Sequence, residues 1–316
     1  MKLFLFLLLT LLSATPVYAQ SEASSADATT ANFESEVIQV KEVITEIPHT
    51  SWMGIKKSFS KESLPAWAAV VSSTLILLNN DEVILKDVQR YGRDSGIGNN
   101  DNTKAFWTLG EIDIIRLPTD FGSFTYFLGD GLIHGGIAAG FLINGYANKN
   151  SRAANTGLQL AHGMIISTFF NQFLKRTFGR ESPYVKSEPF GKWSPYPSIP
   201  EYQSRTSKYD AMPSGHIMTT TLVFTVINEN YPEYSHVTIP LGLTWGTLLM
   251  LGMVNNGVHW ASDYPLGIAM GYVFGKASAQ LGKKPKTEAE KKSTKEWLVM
   301  PTVDSRGSGL AFTYAY

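Results

Sequence analysis

The chain has 316 residues, of which 44% are hydrophobic and 17% charged, with 27 basic side chains balancing 27 acidic ones. That balance excludes a general electrostatic nucleic-acid binder, and 7 Trp, 14 Tyr and 17 Phe exclude a mostly disordered chain. The absence of cysteine excludes disulfides, thiolate nucleophiles and Cys-ligated metal sites.

Lys2, the apolar run Leu3–Leu12 and the small-residue site at Val17-Tyr18-Ala19 read as a secretory signal peptide, residues 1–19, cleaved after Ala19. The run is short for a spanning helix. Residues 20–63 form a lead-in, expected to be flexible because its Ser/Ala/Thr/Glu-rich part shows no sustained period. Residues 65–80 are apolar and uncharged. Residues 81–92 predict an amphipathic helix with acidic residues in its first turn. Residues 93–103, rich in Gly, Asn and Asp, predict a loop.

Charge then nearly vanishes. Between Gly122 and Leu174 only Asp130, Lys149 and Arg152 are charged, and between Met212 and Gly282 only Glu229, Glu233, Asp263 and Lys276. At the chain-wide 17%, those stretches would hold about 9 and about 12 charges. A water-facing helix needs charge on its outer side, so membrane-buried helices are favoured. Candidate spans are 122–146, 155–174, 213–228, 237–258 and 263–280, with 65–80 marginal. Lys149, Arg152 and the lysines after Gly282 favour cytoplasmic ends, which puts the 175–212 loop outside. Lys56, Lys57 and Lys61 also favour the inside, whereas a cleaved signal puts residue 20 outside. Three arrangements reconcile them: 65–80 does not cross, the signal stays, or the domain is soluble and periplasmic. After the helical domain, 64–282, a basic tail, 283–316, ends in β-prone flanks around Asp304–Gly309, predicting a short β-hairpin.

Three pieces carry chemistry. Lys175-Arg176-Thr177-Phe178-Gly179-Arg180-Glu181-Ser182-Pro183 closes one apolar helix, and Pro213-Ser214-Gly215-His216 opens another. Gly257-Val258-His259-Trp260-Ala261-Ser262-Asp263 follows a third. Cations at a helix end hold a dianion. Pro-Ser-Gly at a helix start offers N–H groups, a hydroxyl and the positive dipole end. His259 and Asp263, spaced i,i+4, share a face on a helical turn, where the carboxylate fixes the imidazole tautomer. Two histidines beside a phosphate cradle suit phosphoryl transfer. Asp130 with His134, also i,i+4, reads as a structural buried pair, and His162 as structural. The 184–211 segment, long for a connection, is expected to lie over the site.

The ordered set resembles the type 2 phosphatidic acid phosphatase family, over roughly residues 65–280. That family shares its fold with bacterial acid phosphatases and vanadium haloperoxidases, and carries Lys-x6-Arg-Pro, Pro-Ser-Gly-His and Ser-Arg-x5-His-x3-Asp. The resemblance implies an all-α helical bundle with several membrane-embedded helices. It also implies a phosphatase working through a phosphohistidine, with no metal and no cofactor. By it, His259 is the nucleophile, His216 the general acid and Asp263 the partner of His259. Lys175, Ser214 and Gly215 bind phosphate. Two positions depart: Ser182 and Met253 stand where the family has arginines. Arg180, a weaker Arg176, or Asn255 and Asn256 as neutral donors are the candidates to compensate.

The expectation is an envelope phosphatase, in the inner membrane facing the periplasm or in the periplasm. Its substrate would be a phosphorylated lipid or a small phosphomonoester, not nucleic acid. The alternative is a degenerate relative that binds phosphorylated lipids or serves a structural role.

Overall fold

The computed structural model describes residues 37–99, 102–110, 112–283, 296–304 and 307–315. The expected signal peptide lies outside them. Eleven α-helices dominate the described residues. They are α1 (Glu42–Thr45), α2 (Ile47–Ser58), α3 (Leu64–Leu78), α4 (Asp81–Asp94), α5 (Phe121–Phe127), α6 (Gly131–Ala147), α7 (Ser151–Phe178), α8 (Ile199–Ser204), α9 (Gly215–Asn230), α10 (Ser235–Asn255) and α11 (Tyr264–Ser278).

The bundle is built around α7. At 28 residues it is about 42 Å long. The Asn150 side chain accepts from the Ala153 N–H to start it, and Gly179 ends it at φ 56°, in the left-handed region. Half of its residues are buried, most of them between Ala153 and Ser167, where small residues line it. A Cβ on Gly157 would lie 2.6 Å from Leu142 Cγ, and one on Gly145 of α6 would lie 2.3 Å from the Ala154 nitrogen. Helices α6 and α7 therefore approach backbone to side chain, closer than larger residues allow.

A second close contact sets the site. Gly267, Gly271 and Gly275 recur every fourth residue of α11, one stripe facing α9. A Cβ on Gly267 would lie 2.7 Å from the Ser214 carbonyl, and one on Gly271 would lie 2.2 Å from that of Met218. Around this pair, Leu160, Ile166, Met218, Leu222, Val226 and Phe274 form one apolar core. A second core joins α3, α4 and α10 to the site end through Leu77, Ile84, Val88, Met250, Met253 and Trp260. Here α4 is the expected amphipathic helix, burying Ile84, Leu85 and Val88.

Three features differ from the sequence expectation. The lead-in is not weakly ordered where it is described: residues 42–58 are helical, and Ile38 and Val43 are buried against Leu158 and Leu281. His162 ties it down, with Nδ1 2.7 Å from the Val43 carbonyl and Nε2 2.9 Å from Thr50 Oγ1. Second, a hairpin follows the expected 93–103 loop, β1 (Thr103–Leu109) pairing antiparallel with β2 (Ile112–Pro118). Third, Asp130 and His134 do not form the expected side-chain pair. Asp130 accepts the Leu132 N–H as the cap of α6, and His134 Nε2 lies 3.1 Å from Thr220 Oγ1. At the C terminus, β3 (Glu296–Asp304) pairs antiparallel with β4 (Gly307–Ala315), where the sequence predicts a hairpin.

Only the helical stretch Pro232–Asn255, among the described residues, is by itself long and apolar enough to cross a membrane, and 33% of its apolar window is buried. The pairs 61–78 with 81–94 and 121–127 with 131–147 qualify only if each bent pair counts as one span.

Candidate active site

The three motifs meet at one end of the bundle, where α7 and α10 finish and α9 begins. Ser214 is the cap of α9, and its N–H donates to the Asp263 carbonyl at 3.1 Å. This single bond locks the Pro-Ser-Gly-His turn to the His-x3-Asp turn. Gly215 sits so close to α7 that a Cβ would lie 2.8 Å from Asn171 Nδ2. The free N–H groups and positive dipole end of α9, a 16-residue helix, thus open beside Asn171 and Lys175. Lys175 is buried; its Nζ donates to the Asp210 carbonyl at 2.6 Å and lies 3.3 Å from Asp210 Oδ2.

The imidazoles of His216 and His259 face each other edge to face, with ring centroids 5.9 Å apart. His259 Nδ1 points to Asp263 Oδ2 at 3.4 Å. The same carboxylate oxygen accepts the Trp260 N–H at 2.8 Å. This leaves His259 Nε2 as the nitrogen directed away from the carboxylate. His216 packs under Tyr126, ring centroids 4.9 Å apart, and against Gly129, where a Cβ would lie 2.8 Å from its own Cβ.

Arg180 is not a free phosphate clamp, which corrects the expectation that it compensates for the lost arginines. It is 0% exposed. Nη1 donates to Ser262 Oγ at 2.7 Å and Asp263 Oδ1 at 2.6 Å. Nη2 donates to Asp81 Oδ2 at 2.8 Å and the Phe190 carbonyl at 2.9 Å, and Nε donates to that carbonyl at 3.2 Å. All five donors of the guanidinium thus have protein acceptors. Trp193 and Trp260 each lie with ring centroids 5.0 Å from its central carbon.

The other compensating candidates are also engaged. Arg176 bonds the carbonyl and side chain of Gln172 and stacks over Tyr202. Asn255 accepts from Arg93 and donates to the Gly98 carbonyl, while Asn256 donates to the Gly122 carbonyl. The asparagines pin the segments before and after the β1–β2 hairpin rather than a ligand. Met253 is fully buried with its sulfur 3.8 Å from Ser214 Oγ, so a thioether touches the cradle where the resemblance places an arginine.

Electrostatics follow from this burial. Burial, together with His259 and Lys175, pushes the His216 imidazole well below its ordinary value. Burial would raise the Asp263 carboxyl, but Arg180 and His259 outweigh it and hold the group below its ordinary value. Burial pushes Asp81 up to about 6, against the pull of Arg180 and with the push of Asp263.

The segment 184–211 packs against this end, as the sequence reading expects. Tyr184 N–H donates to the Gly257 carbonyl at 3.0 Å, two residues before His259. Glu181 accepts from the Ser187 and Lys192 N–H groups, and its carbonyl accepts from Trp260 Nε1. Among the described residues, no group of three or more His, Cys, Asp or Glu side chains is gathered as a metal site requires.

Residues 156–286 match the family model of the PAP2 superfamily. This segment belongs to that superfamily. No curated protein and no solved structure matches the chain. The PAP2 segment contains every motif residue named above, but not Asp81. Membership points to phosphatase activity on phosphoesters. Sequence reasoning missed Asp81, whose one signal, an acidic residue opening a helix, reads equally as a dipole partner. It also missed Asn171, buried one turn before Lys175, whose Oδ1 has no hydrogen-bond partner among the described residues.

Proposed function

We propose that the chain is an envelope phosphatase that hydrolyses a phosphomonoester or pyrophosphate, carried on a lipid, through a phosphohistidine. The observation that supports it is the convergence of His259, Asp263 and His216 on the start of α9 beside Lys175. Phosphate oxygens sit on the α9 N–H groups and Ser214, with Lys175 adding charge. The His259 Nε2 lone pair attacks phosphorus as the bond to the leaving oxygen breaks, and that oxygen takes its proton from His216. Asp263 holds the Nδ1–H and stabilises the developing cation. In the second half, neutral His216 takes a proton from water, water oxygen attacks phosphorus, and the N–P bond breaks to release phosphate.

The lipid part of the reading rests on the helical stretch Pro232–Asn255, whose apolar window is only one third buried, and on the charge-poor sequence around it. A second reading has one specific observation in its favour. Met253 and Ser182 supply no cation to the phosphate, which suits a protein that binds phosphorylated lipid without turning it over.

Phosphate release by purified protein in detergent, across lipid phosphates and a chromogenic phosphomonoester, separates the two. We expect release that falls to background in His259→Ala, and by about 10²–10⁴-fold in His216→Ala. Vanadate or phosphate binding without release by the folded wild type would establish the second reading.

A further inference from the structure

Asp81 and Arg180 are two buried charges that the proposed chemistry does not use. They come from different elements, Asp81 from the first turn of α4 and Arg180 from just past the end of α7. Asp81 is 1% exposed. Its Oδ2 accepts from Arg180 at 2.8 Å and from Ser262 Oγ at 2.5 Å, and its Oδ1 accepts the Ser262 N–H at 3.1 Å. Arg180 in turn holds Asp263 Oδ1, leaving Oδ2 for Trp260 N–H and His259. The chain of contacts Asp81–Arg180–Asp263–His259 is therefore continuous, and Ser262 is gripped from both sides.

We propose that Arg180 and Asp81 are positioning residues: Asp81 orients the Arg180 guanidinium, Arg180 fixes the Asp263 carboxylate, and Asp263 thereby aims and tunes His259. The inference rests on the proposed reading of His259 as nucleophile. It makes α4, outside the PAP2 segment, part of the working site. It also explains how an arginine two residues before Ser182 serves the site without touching phosphate. One guanidinium divides its charge between two carboxylates, so Asp263 keeps more of its negative charge for His259 than an unshared pair would leave it.

The charges that face this chain are few. His259 faces Asp263, His216 and Tyr264, with Lys175 acting on His216. Asp263 faces Arg180 and Asp81. Lys186 lies with its Nζ 5.5 Å from the Trp260 ring centroid. Removing the Asp81 charge takes away a nearby anion and leaves Arg180 undivided on Asp263. Both changes weaken the hold of Asp263 on His259 Nδ1.

The test is Asp81→Asn, with Arg180→Lys beside it, each checked by thermal unfolding in detergent. Three readouts are taken: kcat and KM with a lipid phosphate, inhibition by inorganic phosphate, and the His259 Nδ1–H hydrogen bond to Asp263 by nitrogen-15 NMR. For Asp81→Asn we expect kcat to fall about tenfold, phosphate inhibition to stay within threefold, and the His259 Nδ1–H hydrogen bond to Asp263 to weaken. Arg180→Lys, if folded, lowers kcat further with phosphate inhibition again unchanged. Weakened phosphate inhibition would make Arg180 a clamp and overturn the proposal. So would a folded Asp81→Asn protein with unchanged kcat and an unchanged His259 Nδ1–H hydrogen bond. A wild type that releases no phosphate defeats the functional reading instead, and the His259 hydrogen bond seen by NMR still decides the positioning.

Discussion

At the scale of single residues, the site differs from the expected pattern by what replaces two arginines. Met253 fills its position with a neutral thioether, in contact with Ser214. Since the sulfur supplies no charge, Met253→Leu should cost less than about 1.5 kcal/mol of stability and leave kcat within about threefold. Arg180 is different, because two buried carboxylates depend on it. Arg180→Met should destabilise by about 3–5 kcal/mol, read as a drop in the unfolding midpoint in denaturant. Asp81 sets a pH dependence of stability. Its carboxyl lies at about 6 in the folded protein against an ordinary 3.8. A raised acid favours the fold while protonated, so this contribution is fully present below about pH 4 and lost as pH rises through about 6. Asp81→Asn should flatten that slope, and an unchanged slope would show that Asp81 does not titrate there. The motif residues were legible because chemistry fixes their spacing along the chain. The Asp81–Arg180 contact was not, because it joins positions about a hundred residues apart that no local pattern links.

At the scale of elements, the helices were legible from apolar runs and turn residues, and α4 from its acidic first turn and apolar face. What escaped was held by tertiary contacts. Within residues 37–58, Val40, Val43, Ile44 and Ile47 fall at i, i+3, i+4 and i+7, a period too short to register against the Ser/Ala/Thr/Glu-rich lead-in; Ile38 and Val43 are buried and His162 bonds the chain at two points. The β1–β2 hairpin sits between two pinned turns, with Asn255 donating to the Gly98 carbonyl and Asn102 donating to Asp120. Gly179 carries the link between α7 and the segment over the site. A Cβ there would lie 1.9 Å from the Ser194 carbonyl, at a φ of 56°. The Gly179 carbonyl also accepts the Ser194 N–H at 2.8 Å. Gly179→Ala should therefore destabilise by more than the about 1 kcal/mol of a strained backbone alone. It should also raise protease sensitivity within residues 184–211, seen by limited proteolysis; an unchanged cleavage pattern would mean the segment is held independently of the α7 cap.

At the scale of the whole molecule, the shortage of charge and the apolar exterior point the same way. Ile143 and Tyr146 on α6, Phe169 and Phe173 on α7, and Val237 and Leu241 on α10 are exposed. Large apolar surfaces of this kind are unusual on a monomer in water. The protein should stay with membranes through carbonate extraction, and release into the supernatant would place it among soluble phosphatases. The pH–rate profile is a molecule-wide readout of the site. With His216 pushed well below its ordinary value, its proton is present only toward acid pH, so kcat should rise as pH falls below neutrality. The central claim is that His259 carries the phosphoryl group between the two half-reactions. The measurement that bears on it most directly is rapid quenching of the protein during turnover of a phosphorus-32-labelled substrate. The wild type should carry an acid-labile, base-stable label, absent from His259→Ala and accumulating when hydrolysis is slowed in His216→Ala with an activated leaving group. Turnover of the same substrate with no label on His259 would contradict it.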